Sequence, residues 1–388
     1  MLRSLIIWSI AIILAVLSFF LAIGSITKSK LPEVAMSIPA VNGFAYSTAA
    51  LRSMQKQIVA GDNIMPDKTD AKTAKLARLA FLSEPTSSEA VALIALGREG
   101  QSRQRLMQNA ISMSKRNQLA LSWMIMKSSS NDDVLGVLTY YDISMRTSPS
   151  SAELLLPIMA SLLKYDHAVQ PLAKIMRKNP PWLSGFWYNI LMQKESMHNA
   201  AKLRVALIGS GLPASEFLDG PFLTSLVNNG FISDAETLYY SLKPSQAKNS
   251  IVRDGEFKVQ PVYTPFDWEL FSNGEYGAEV FDQSLNLSAI SNAGGVFARQ
   301  LLRLPKRKLN LRVELENTDD SAGTISLQIT CAEATSKTLS PVSIPLRNGI
   351  TKRTIDNSSG ICRYYWLNVA GTPSDSGYDA RIFSLSIT

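Results

Sequence analysis

The chain has 388 residues, a formal net charge of +7 and two cysteines, and it is 46% hydrophobic against 18% charged. At roughly 150 residues per domain this is room for two or three domains with cores of their own, and it excludes disordered, collagen-like, cysteine-scaffold and multi-pass membrane chains. The 39 basic residues face 32 acidic ones, a mild excess that suits an anionic polymer or a phospholipid surface and carries no nucleic-acid signature.

The N-terminus is the first element. No charge occurs from Leu5 to Ile23, and about 19 residues at ~1.5 Å rise nearly cross a ~30 Å hydrocarbon core. Ala22-Ile23-Gly24 has the alternating small residues that a signal peptidase accepts, but the apolar run exceeds the usual ~7–15 residues of a signal peptide. An uncleaved transmembrane anchor over 4–26 is therefore expected, with a cleaved signal peptide as the competing reading. Arg3 precedes the run and Lys28 and Lys30 follow it, so flanking charge does not orient it. The expected topology puts the N-terminus in the cytoplasm and the bulk outside, as a single membrane span.

Residues 27–68 read as a linker, with Pro32 and Pro39 among small residues and an amphipathic helix over 44–60. Phe44, Leu51, Met54, Ile58 and Val59 form that helix's apolar stripe. Gly61 to Asp70 reads as a loop.

From 69 to 245 the apolar positions recur at three and four, as in Leu76, Leu79, Ala80 and in Val91, Leu93, Ile94, Leu96. Ser87-Ser88-Glu89, Asn131-Asp132-Asp133 and Ser150-Ser151-Ala152-Glu153 mark helix starts. Ala90, Leu93, Leu96-Gly97, Ala110 and Ile111 resemble the small-residue and Leu-Gly pattern of a tetratricopeptide repeat. Val134 to Arg146 resembles the second helix of another. The resemblance implies a tetratricopeptide-like α-solenoid, in which small residues let paired helices approach and each pair buries its free face on the next. A non-repetitive helical domain is the alternative. Trp182, Phe186, Trp187 and Tyr188 follow Pro180-Pro181. They read either as an interhelical core or as an aromatic anchor for a protein partner.

Near Ala247 the texture changes, and 247–388 reads as a β-sandwich of jelly-roll type. Period-2 runs occur at Asp267–Phe271, Leu309–Leu315, Thr324–Thr330, Tyr364–Val369 and Ala380–Ile387, separated by turns such as Asn273-Gly274, Asp319-Asp320-Ser321 and Asn348-Gly349. The fold class is thus multidomain: one transmembrane helix, an α-solenoid and an all-β sandwich. Cys331 and Cys362 fall together in the last domain. They are expected to pair as a disulfide outside the cytoplasm, two buried thiols being the other reading.

The run Asn249 to Phe257 with Asp267-Trp268, and the closing strand Tyr378 to Ile387, resemble carbohydrate-binding-module jelly rolls of the galactose-binding-like group. With the helical half, the chain resembles bacterial membrane-anchored proteins that join tetratricopeptide-like helices to such a sandwich. The resemblance implies a place in exopolysaccharide or envelope biogenesis, in the inner membrane with the bulk periplasmic. Where that group often holds a structural calcium, this chain has Lys258 and Ser384 beside Asp254 and Glu256, so no metal is expected. Sugars dock on aromatic rings with polar edges, which makes Trp268, Tyr364, Tyr365 and Trp366 the candidate glycan-binding residues.

Catalytic signals are poor. His167 and His198 are the two histidines, and neither belongs to an HExxH motif or a Cys/His cluster. No GxSxG elbow, P-loop or GxGxxG occurs. The expectation is a non-enzymatic scaffold without cofactor, its solenoid binding a protein and its sandwich a polysaccharide. The alternative is an assembly component whose sandwich docks protein and binds no sugar.

Overall fold

The structure, a computed structural model, describes residues 2–38, 42–60, 68–244, 250–317, 325–333 and 342–388. It divides into two compact units, Met1–Leu155 and Leu156–Thr388. The boundary expected near Ala247, the turn at Asp319-Asp320-Ser321 and Thr324 lie outside the described residues, as does most of the loop expected from Gly61.

The first unit opens with α1 (Leu2–Thr27), whose segment Ile6–Thr27 has mean hydropathy 2.8, exposes its apolar side chains from Ile6 to Leu21 and is long and apolar enough to cross a membrane. The expected linker is partly helical, holding α2 (Pro32–Ser37), with Pro32 at its first turn where no N–H is needed. The amphipathic helix is α3 (Gly43–Ala60), which buries Ala45, Ala49, Ala50 and Met54 while leaving Phe44 exposed under the Lys28 ammonium. This helix also holds the end of α1. Asn42 Nδ2 donates to Gly24 O at 2.9 Å, and Arg52 Nη2 donates to Ser29 O and Lys30 O, each at 2.9 Å. Gly24 O also accepts from Lys28 N at 3.1 Å, and Ser29 and Lys30 follow just after the helix.

Then come α4 (Ala71–Ser83), α5 (Ser88–Leu96), α6 (Gly100–Met113), α7 (Gln118–Ser130) and α8 (Val134–Thr147). The pairs α3/α4, α5/α6 and α7/α8 pack as hairpins, each on the next. Ala77, Ala92, Leu93, Leu96, Met107 and Leu121 fill the space between them. Side-chain caps start four of these helices: Asp70 accepts from Thr73 N at 2.7 Å, Ser87 from Ala90 N at 3.3 Å, Asn117 from Ala120 N at 2.9 Å and Asp133 from Gly136 N at 2.9 Å. Such caps contribute about 1 kcal/mol each. Helices α4, α6 and α8 also end alike, with the residue after the helix (Glu84, Ser114, Ser148) donating its N–H to a small buried one (Ala80, Ala110, Ser144).

The division of the chain falls within α9 (Pro149–Leu162). The second unit continues with α10 (Val169–Met176), α11 (Leu183–Leu191), α12 (Met197–Gly209), α13 (Glu216–Asn228) and α14 (Ile232–Leu242). A buried bidentate pair ties α12 to α13: Arg204 Nε to Asp219 Oδ1 at 2.6 Å and Nη2 to Oδ2 at 2.7 Å. Arg204 also donates to Pro213 O, and Asp219 accepts from Ser215 N, so the buried charges are fully engaged as burial demands.

Among the described residues ten strands follow: β1 (Glu269–Leu270), β2 (Tyr276–Phe281), β3 (Ser284–Ala289), β4 (Gly295–Arg303), β5 (Lys308–Asn317), β6 (Ile325–Cys331), β7 (Val342–Pro345), β8 (Gly349–Asp356), β9 (Tyr364–Gly371) and β10 (Tyr378–Ile387). They form two antiparallel five-stranded sheets, β1-β4-β9-β6-β7 and β2-β3-β10-β5-β8. Phe297, Leu327, Leu367 and Val369 of the first sheet and Leu285, Leu287, Val313 and Ile382 of the second share one core, the arrangement of a sandwich. The runs expected at 309–315, 364–369 and 380–387 lie within β5, β9 and β10, whereas the run at 267–271 shrinks to β1. Cys331 and Cys362 are disulfide-bonded, with Cα atoms 5.9 Å apart.

Within this unit α14 is joined to the sandwich by a buried carboxylate. Asp267 accepts from Tyr239 Oη at 2.8 Å, Lys243 Nζ at 2.7 Å, Val262 N at 3.1 Å and Tyr263 N at 2.8 Å. Burial on its own raises the Asp267 pKa, but the Lys243 ammonium and the three neutral donors outweigh it and hold the carboxyl below its ordinary range. Beside it the buried Arg253 guanidinium lies 5.1 Å from the Tyr239 ring and 5.2 Å from the Phe266 ring, and donates to Leu301 O at 2.8 Å.

Candidate functional site

The four rings expected to bind glycan do not form a platform. Trp268 is only 2% exposed, packs on Phe257 and donates its Nε1 to Asp254 O at 3.3 Å. Tyr365 points into the core, where its hydroxyl donates to Asn357 Oδ1 at 2.6 Å. Tyr364, on the outer face, is covered by α14, with its hydroxyl on Glu236 Oε2. Trp366 shares that face but is half-buried, its ring 4.3 Å from the Arg299 guanidinium, which also pairs with Glu269. Strand alternation sends Tyr364 and Trp366 to the opposite side from Tyr365, so a sugar meets none of Trp268, Tyr364 or Tyr365.

The expected partner anchor needs a similar correction. Trp182, Phe186 and Trp187 are buried in a helical core cluster that Phe222 of α13 completes. Tyr188 alone of the four is exposed. One turn apart on a helix, Trp182, Phe186 and Ile190 share the inward face, and Tyr188 falls on the other. At the former calcium comparison point, Lys258 is paired with Glu256, and Asp254 accepts from Lys258 N and Val259 N.

An open cleft of ≈ 720 Å³ lies instead on the outer face of the second sheet, over β2, β3 and β10. Register sets its rows. Glu279, Asn286, Arg381 and Glu316 stand side by side across four strands, and Gly277, Ser288 and Asp379 form the next row. On the other side Phe281 pairs with Ser284, while Phe383 follows Ile382, the partner of Leu285, at a register shift of β10. Phe281 is 66% exposed and Phe383 38%. Two exposed rings thus stand on the two strands that flank β3.

Local structure accounts for this presentation. Asp282 and Gln283 have φ of 48° and 53°, the two left-handed positions of a type I′ hairpin turn. This tight turn leaves Phe281 at the strand's end on the solvent side. Ser284 Oγ lies 2.8 Å from Phe281 O and 3.0 Å from Asn286 Oδ1, its single proton shared between the two, which ties the asparagine side chain to the hairpin end. The cleft therefore combines the flat apolar ring of Phe281 with acceptors (Glu279, Asp379) and donors (Arg381, Asn286), the chemistry that C–H faces and hydroxyls of a sugar require. In the sequence the signal was the alternation of 276–281 and 284–289 about a two-residue break. Asp-Gln lacks the glycine that usually advertises such a turn.

No protein family and no curated protein matches the chain. Among solved structures it is similar to TmCBM61 in complex with β-1,4-galactotriose, at 10% identity and a TM-score of 0.27, over 36% of this chain and 99% of that one. A CBM4 structure is similar at 11% identity and a TM-score of 0.27, over 35% and 98% respectively. The enzymatically active domain of bacteriophage CBA120 tailspike protein 4 is similar at 11% identity and a TM-score of 0.26, over 36% and 21%. At such identities and scores these likenesses assign neither family nor ligand.

Proposed function

We propose that the protein is a non-enzymatic, membrane-tethered extracytoplasmic scaffold whose sandwich binds glycan and whose helices bind a protein partner. The observation that carries the glycan part is the cleft on the second sheet, where the exposed Phe281 stands beside Glu279, Asn286, Asp379 and Arg381, with Phe383 exposed further along β10. Exposed rings edged by hydrogen-bonding groups favour sugar over a flush protein-docking surface. In this reading α1 is the anchor in a bacterial inner membrane. The Cys331–Cys362 pair belongs to the oxidising periplasmic side, where exopolysaccharide or envelope assembly takes place. Tyr188, exposed on α11, is the residue of the expected anchor that a partner would meet.

The test is a glycan panel probed with the full chain in detergent micelles. Replacing Phe281 by Ala is expected to weaken binding at least about tenfold while leaving the thermal transition in place, because the ring is mostly in solvent. A panel without any binder would remove the glycan function and leave the protein-docking alternative.

A further inference from the structure

The same outer face continues beyond the two rings. Along β10, Ser386 lies three residues, ~10 Å, past Phe383, and the register shift between Ile382 and Ser384 keeps the two on one face. There a second cleft of ≈ 610 Å³ is lined by Asn310, Arg312, Lys352, Thr354 and Ser386 among others. Arg312 on β5 stands directly opposite Lys352 on β8. Asn310 exchanges both backbone hydrogen bonds with Thr388 of the β10 side. Arg312, two residues on, points its backbone groups the same way. Its pairing with Lys352 is therefore of the non-hydrogen-bonded kind, with Cα atoms only ~4.5 Å apart and side chains at their closest.

Like charges in that position work against the fold. Among the described residues no carboxylate forms an ion pair with either side chain. Glu314, in the neighbouring row, is the acceptor of Ser384 Oγ at 3.5 Å. The sheet thus holds two adjacent cations that no ion pair engages among the described residues, ringed by hydroxyl and amide groups. Both are exposed, and both can donate to an anionic oxygen group.

We infer that this cleft is the acid-reading end of the glycan site, and that the ligand is an anionic polysaccharide whose carboxylate, sulfate or phosphate group sits between Arg312 and Lys352. The inference rests on the glycan reading and adds the substrate class to it. The neutral part of the polymer lies on Phe281 and Phe383, and the acidic substituent bridges the cation pair, replacing repulsion by two charge-assisted bonds.

The experiment measures affinity of the full chain in detergent micelles, at fixed salt, for a panel of uronate polymers, each beside its own carboxyl-reduced form, and for a sulfated polymer. The native chain should prefer the acidic member of a pair by about tenfold or more. The double change R312Q with K352Q should abolish that preference, leave affinity for the reduced form intact and leave or raise the thermal transition. Binding of the sulfated but not the uronate polymers would assign the group as sulfate-like. K306Q with R307Q, on the solvated turn after Pro305, should leave the preference in place. Equal affinity for acidic and reduced polymers overturns the inference while sparing the glycan function. So does a loss in the turn variant as large as in the sheet variant, since that would mean diffuse charge attraction only. Failure of every polymer to bind overturns the glycan function itself.

Discussion

The Tyr364 hydroxyl donates a 2.8 Å hydrogen bond to Glu236 Oε2 and so ties the outer face of the first sheet to helix α14. Arg303 Nη1 approaches the same carboxylate oxygen at 3.5 Å. A ring whose sequence position suggests sugar binding is therefore a joint between helix and sandwich inside one compact unit. Burial first, and then the Glu236 bond and charge, push the Tyr364 pKa up to about 12.

That shift fixes a pH dependence. An unfolded tyrosine ionises near ~10. Because the folded value is higher, the native state holds the proton more tightly, and its stabilisation is complete below pH ~10 and is lost as pH rises towards the folded value. Tyr378, pushed up to about 12 by burial, adds a background common to all variants. Y364F should therefore lose less stability than the native chain between pH 9 and 11.5 in urea titrations at ~25 °C. Parallel curves would mean that the bond to Glu236 does not hold the proton.

Asp267 gives the opposite sign. Its pKa is held down, so its contribution is present above the unfolded value of ~3.9 and disappears as pH falls through the lower folded one. D267N should flatten the stability profile below pH ~4. At neutral pH, D267A should cost towards the lower end of ~3–5 kcal/mol, since Lys243 loses its partner but keeps some access to water. The same network predicts that a fragment from Ser148 to Thr388 has a higher urea midpoint than one from Ser250, which lacks Glu236, Tyr239 and Lys243. Equal midpoints would show that the sandwich owes nothing to α14.

The disulfide closes a loop of sequence separation 31. On the chain-entropy account a loop of that size contributes about 3–4 kcal/mol. Alkylation of unreduced, native protein should label neither Cys331 nor Cys362, and reduction should lower the urea midpoint. Full labelling under oxidising conditions would remove both the bond and the argument from it to an extracytoplasmic location.

Much of the architecture was legible because it depends on local pattern. Ser87 and Asp133 signal helix starts by the capping their oxygens perform, and the alternation of Leu309 to Leu315 announces a strand with one dry face. Strands β2 and β3 escaped because glycine is absent from their turn, and β8 because an edge strand that exposes Lys352, Arg353 and Thr354 in a row shows no apolar alternation. The site was less legible for a plain reason. Which aromatic is exposed depends on what covers it: α14 hides Tyr364, the core takes Tyr365 and Trp268, and Phe281 is left at a hairpin end. Sequence supplies the rings; the packing that covers or exposes each comes from elements far away in the chain.

The anchor is the last prediction. The cleavage reading requires a peptidase to take the backbone around Ala22-Ile23-Gly24, and proteases attack exposed, irregular backbone. Here these residues lie within α1, Thr27 Oγ1 donates to Ile23 O at 2.7 Å, and Gly24 is buried with its carbonyl on Asn42 Nδ2. A Cβ at Gly24 would come within 3.2 Å of that nitrogen, so the end of α1 is built into the contact with α3. Protein from membranes should thus remain bound after carbonate washing, and its N-terminal peptide should begin before Leu5. N42A with R52A should leave the chain in the membrane but expose residues 24–30 to added protease, because both caps on that segment are gone. A mature N-terminus at Ser25 in native protein would overturn the anchor and make α1 a signal peptide.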